Sequence, residues 1–152
     1  MPTTKKKPLR IDRNRDCHLF AVSGHVPSQL VVLLIVRELA EAIEREPGKP
    51  EWLVFSGVQL EHWAGMSTWV LVSDVVPSAV VERIKHSLAE AIEAEQFEAN
   101  ELCRPASDPR LVPVFRVAKS SVELLVPPEQ YDHRWRGTLD GVPTTQRPYS
   151  VD

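Results

Sequence analysis

Phe20–Glu46 reads FAVSGHVPSQLVVLLIVRELAEAIERE, and Val70–Glu95 reads VLVSDVVPSAVVERIKHSLAEAIEAE. They are nearly one phrase written twice. Val22, Ser23, Val26, Pro27 and Ser28 return 50 positions later as Val72, Ser73, Val76, Pro77 and Ser78. LAEAIERE (Leu39–Glu46) returns as LAEAIEAE (Leu88–Glu95), now 49 positions later, so one residue is missing inside the second copy. LAEAIE alone is generic helix composition. Two matches in the same order at nearly constant spacing indicate internal structural repetition.

Each copy reads strand, turn, helix. HLFAVSGHV and WVLVSDVV are short runs rich in β-branched and aromatic residues. Pro27 and Pro77 stop them, because proline donates no ladder hydrogen bond. Ser28 and Ser78 are then placed to cap the helices that follow. The first helix is expected to end near Glu46, before PGKP, and the second to run to about Asn100, before CRPASDP.

Working outward, EWLVFSGVQLEHW is a further strand, AGMS a turn into TWVLVSD, and LVPVFRVA a strand after the second helix. The order is β-α-β, hairpin, β-α-β. That order predicts an α+β, ferredoxin-like sandwich: four antiparallel strands in order 4-1-3-2 with two helices on one face. LVPVFRVA is expected as the fourth strand, with SVELLV as an extra edge strand beside it. The predicted organisation is a basic disordered arm over 1–16, the ferredoxin-like domain over 17–127 and an irregular Pro-rich segment over 128–152.

The chain has 152 residues and a net charge of -3. That length suits one domain with a real core. MPTTKKKPLRIDRNRD carries six Lys/Arg and two Asp, leaving an acidic body. An acidic body repels phosphate, so nucleic-acid binding would rest on the arm alone. RNA-recognition domains share the topology, but their basic-aromatic strand pattern is absent. The longest aliphatic run, Leu30–Val36, is too short to span a bilayer. Cys17 and Cys103 stand far apart in no metal-type spacing, which reads as free thiols in a cytoplasmic protein with no cofactor.

The two helices differ in character. Val80, Val81, Ile84, Leu88, Ala91 and Ile92 form one stripe in the second. The run LVVLLIV wraps every side of the first, so its outer face is expected to need cover. Alternation along the strands puts Phe20, Val22, Val70 and Val72 toward the helices. Leu19, Ala21, Trp69 and Leu71 then face the other way, making a second apolar surface. The predicted interface is Leu19, Val32, Leu33, Val36, Trp63, Met66, Trp69 and Leu71, used in a homodimer or with another protein. The tail, with Tyr131, Trp135, Leu139 and Tyr149, is the alternative cover.

Catalytic motifs are absent: no phosphate-cradling Gly loop, Gly-x-Ser-x-Gly elbow, His-Glu-x-x-His or Cys-x-x-Cys occurs. His25, Glu61 and His62 are expected at one end of the sheet, where a catalytic group would have to form. His18 and His25 are expected on opposite strand faces and so cannot share a metal. The sequence therefore reads as a small interaction protein such as an adaptor, inhibitor or immunity-type partner. The alternatives are a small dimeric enzyme or ligand binder with a pocket between paired sheets, and a nucleic-acid binder acting through the basic arm.

Overall fold

The computed structural model describes residues 8–23, 28–62, 65–91, 96–105, 111–125 and 144–151. The elements are β1 (Leu9–Ile11), β2 (Asp16–Ser23), α1 (Ser28–Ile43), β3 (Glu51–His62), β4 (Gly65–Ser73) and α2 (Ser78–Ala91). They continue with β5 (Gln96–Pro105), β6 (Val112–Ala118), β7 (Ser121–Leu124), β8 (Thr144–Gln146) and β9 (Tyr149–Val151). The main sheet runs β5-β2-β4-β3-β6-β7-β8. It is antiparallel except for the parallel β7–β8 pair. Two helices pack on it, and the β-α-β order resembles a ferredoxin-like arrangement.

Ser28 and Ser78 stand at the first positions of α1 and α2. The Pro77 carbonyl already accepts from the amides of Val80 and Val81, at 2.9 and 3.1 Å. Pro77 therefore occupies the cap position and Ser78 is the first helical residue, one step later than a capping serine.

The buried residues of α2 are Val80, Val81, Ile84 and Leu88. Those of α1 include Val31, Val32, Ile35 and Leu39, the same frame 49 positions earlier. α1 buries Val36, Ala42 and Ile43 as well. The reason lies in sheet position. α1 packs on β3, β4 and β6 and also on α2, whereas α2 packs on β5 and α1. A helix in the middle of its layer needs a wider apolar face than one at its side. The expectation that Val32 and Val36 point outward is thereby corrected: both are 0% exposed in the protein's own core. Leu33 and Leu34 are partly buried against that core, and Leu30 is exposed.

The 4-1-3-2 order occurs, but its fourth strand is β5 and not LVPVFRVA. α2 ends at Ala91, and Gln96–Pro105 pairs antiparallel with β2. EAEQFEANEL is rich in good helix formers, which is why the helix is expected to continue to Asn100. Strand pairing overrides that preference. LVPVFRVA instead forms β6 on the far side of β3, where β7 joins it, as expected for SVELLV. Ser120, with a positive φ of 56°, makes the tight β6–β7 turn, and its amide donates to the Glu44 carboxylate at 2.7 Å.

Phe20, Val22, Val70 and Val72 join the helix-side core, as the alternation predicts. Leu19 and Leu71 join a second core with Ile11, Cys17, Phe55, Leu111 and Leu125. Ala21, Leu53 and Trp69 pack on it partly buried. Part of its cover is β1, whose Ile11 and Leu9 join it, and β1 pairs parallel with β9, Leu9 with Tyr149 and Ile11 with Val151. Two boundaries change accordingly. Residues 9–11, expected in a disordered arm, form a strand with Ile11 0% exposed. Residues 144–146 and 149–151, expected to be irregular, form strands on their own subunit.

Candidate functional site

The expected catalytic group depends on strand ends meeting. The backbone delivers that part: Ser23, at the end of β2, pairs with Ser67, which also pairs with Leu60. The β3–β4 tip follows directly, with Glu61 opposite Met66 and His62 opposite Gly65. His25 and Trp63 lie outside the described residues, and for Glu61, His62 and Met66 the strand position alone is described. Their chemistry stays an expectation from sequence.

The expected interface residues divide differently. Leu19 and Leu71 are buried within the subunit, 5% and 0% exposed, as are Val32 and Val36. The cover expected from a second copy is therefore supplied by the chain itself at these four positions. Leu33 and Trp69 are half-buried. The exposed large apolar side chains among the described residues are Leu30 and Val75, at 43% and 52%.

Two polar features escaped the sequence reading. The first is a charged cluster under the C-terminal strands. Glu123, on β7, is 0% exposed and lies across the ladder from Arg116. Its carboxylate accepts from Arg116 Nη1 at 2.5 Å and from Arg147 Nη1 at 3.3 Å. Arg116 Nη2 also donates to Glu51. Burial lowers the pKa of Arg116, but the Glu51 hydrogen bond and the charges of Glu51 and Glu123 outweigh it, and the net direction is up. The guanidinium therefore stays charged, and the cluster pins the β8 end to β6 and β7. Arg147 adds a backbone bond from its amide to the Leu124 carbonyl at 3.0 Å. A buried pair of this kind is a registry device more than a source of net stability.

The second is His18. It is 6% exposed, and neither ring nitrogen has a hydrogen-bond partner among the described residues. It sits on β2 opposite Val72, at the point where the β2–β5 register shifts. A buried imidazole with both nitrogens unserved is costly. In sequence it is one more histidine in a strand, with no local mark of burial.

Among the described residues, no three His, Cys, Asp or Glu side chains gather to hold a metal ion, and no helix is long and apolar enough to cross a membrane. Comparison of the chain with family models, with curated proteins and with solved structures returned no match.

Proposed function

We propose that the protein is a small interaction module that works as a homodimer, joined through the outer edge of β5. The observation that carries this is the position of β5: ten residues long, paired with β2 on one side and, among the described residues, last in the sheet on the other. Such an edge offers a row of backbone donors and acceptors to another strand. The opposite edge, β8, has three residues and offers far less. β5 carries no Lys, and its one Pro stands at its end, so no proline blocks the backbone along its length. A second copy meeting β5 across a two-fold axis would use the same strand twice and close both edges together.

In this reading the core is a ferredoxin-like unit, β2-α1-β3-β4-α2-β5, grown from a duplicated β-α half and widened by β6–β8. Its setting is cytoplasmic, in keeping with the buried thiol of Cys17, which forms no disulfide. Buried Leu19 and Leu71 favour edge pairing over face-to-face pairing of sheets, and with it an interaction protein over an enzyme whose pocket lies between sheets.

Sedimentation of the full chain tests the reading. A dimer is expected at micromolar concentration. Along β5, successive residues direct their N–H alternately toward β2 and outward, so Ala99→Pro and Asn100→Pro form a matched pair. One should dissociate the dimer at little cost in stability, and the other should weaken the fold. A wild-type monomer at all concentrations, or a dimer that survives both changes, overturns it.

A further inference from the structure

Residues 144–151 cross from one sheet to the other. β8 lies parallel to β7, with Val122 opposite Thr144 and Leu124 opposite Gln146. β9 lies parallel to β1 in the second sheet. Each of these strands is three residues long. Between them the Arg147 amide donates to the Leu124 carbonyl at 3.0 Å, and the Pro148 carbonyl accepts from the Leu9 amide at 2.9 Å. Arg147 Nη1 reaches the Glu123 carboxylate at 3.3 Å. Of the side chains described on this stretch, Thr145 and Pro148 are exposed and Arg147 is partly buried, so none of these three is an apolar anchor in the core. Main-chain hydrogen bonds along a strand, with one charged side chain in a matching site, are the way an added peptide strand is held.

The seat does not depend on its occupant. Glu123 is 0% exposed, and Arg116 holds its carboxylate at 2.5 Å, closer than Arg147 does, while Glu51 holds Arg116 in turn. Without Arg147 the carboxylate is still fixed in place by Arg116. Without β8, β7 presents a row of backbone groups to another strand. We propose that this seat is a peptide-binding site occupied in cis, whose partner is an extended segment of another protein carrying arginine followed by proline. The segment adds to β7 in place of β8, sets its guanidinium on Glu123 and continues along β1 in place of β9. Arginine fits because the acceptor is a buried carboxylate, and a guanidinium keeps its charge there. Proline fits the next position because its carbonyl, not an amide, makes the bond to Leu9. Short parallel ladders are weaker per residue than antiparallel ones, so an incoming segment has little to displace. Tethering gives the chain's own copy a high effective concentration, which keeps the seat filled until a partner competes. The inference is independent of dimerisation, which uses the opposite edge of the sheet.

The test is binding of fluorescent TTQRPYSVD, the chain's own residues 144–152, to the full-length protein, read by anisotropy. Wild type is expected to bind it weakly, because the tethered copy competes. Arg147→Ala in the protein loosens the tethered copy and should tighten peptide binding at least about tenfold, the scale of one charge-assisted contact. On that variant, the same peptide carrying the Arg147→Ala change should bind at least about tenfold more weakly than the unchanged peptide. Glu123→Gln should abolish the gain if its circular dichroism stays native. A purely structural role for Arg147 predicts no gain. A variant that binds the peptide no better than wild type overturns the proposal, as does a peptide indifferent to loss of its arginine. Sedimentation separates a second copy from a foreign segment: excess peptide should leave the oligomeric state unchanged. A dimer that the peptide splits would assign the seat to residues 144–151 of a second copy and overturn the assignment to another protein.

Discussion

The two faces of the sheet are closed in different ways. The helix face is covered by α1 and α2, each joined in sequence to the strands beneath it. The other is covered in part by β1, which pairs with β9 from the opposite end of the described chain. The first cover is local and built from long periodic elements. The second is non-local and built from three-residue strands held by a few side chains. An apolar face thus does not by itself announce a partner; remote segments of the same chain can close it.

The largest effect is expected from Val36→Lys. It places a charge at a fully buried position of the helix-side core and should cost about 5 kcal/mol, seen as loss of the cooperative urea transition. Retention of near-native stability would mean that α1 presents this side to solvent. Glu123→Ala is next, at about 4 kcal/mol, because it removes the buried carboxylate that Arg116 and Arg147 share. The Arg116 pKa is raised on folding, so its contribution is complete below the ordinary arginine value and fades only as pH rises through the higher folded value. The stability gap between wild type and Glu123→Ala should therefore not narrow between about pH 7 and 10 as far as Arg116 is concerned.

Ile11→Ala should cost about 3 kcal/mol as a buried aliphatic truncation. Hydrogen exchange gives the sharper reading: amides of β1 and β9 should lose protection while α1 keeps its own. Uniform loss would merge the two faces into one cooperative unit. Lys85→Val should change stability by no more than about 0.5 kcal/mol. Lys85 stands where Val36 stands in the first copy, and the ion pair it forms with Glu82, at 3.0 Å, is largely exposed on the Glu82 side.

The helix face was readable for a physical reason. Phe20, Val22, Val70 and Val72 alternate cleanly, and the duplicated Pro-Ser marks both helix starts. Ser-capping was misjudged by one residue, within the ordinary blur of helix ends. The identity of the fourth strand was not legible, since EAEQFEANEL favours a helix until β2 offers it a ladder. Nor was the docking of LRI: three residues carry no period, and the strand they join begins at Tyr149. The excess apolarity of α1 was plain, but its cause was not. It reflects β6 and β7 extending the sheet beyond β3, information that lies outside the helix. His18 and the Glu123 cluster were invisible because burial of a single polar side chain is decided by remote partners.

The pairing of Leu9 with Tyr149 also sets an order of events during synthesis. β1 waits for β9, made well over a hundred residues later, before it has its strand partner. Until β9 has been made, Ile11, which shares a core with Leu19, Phe55 and Leu71, sits on a strand with no ladder partner. The nascent chain is thus most prone to misassociation after β4 has formed and before β9 arrives. Slow elongation before β9, or loss of β9, should yield insoluble product even though both helices and their strands are already complete.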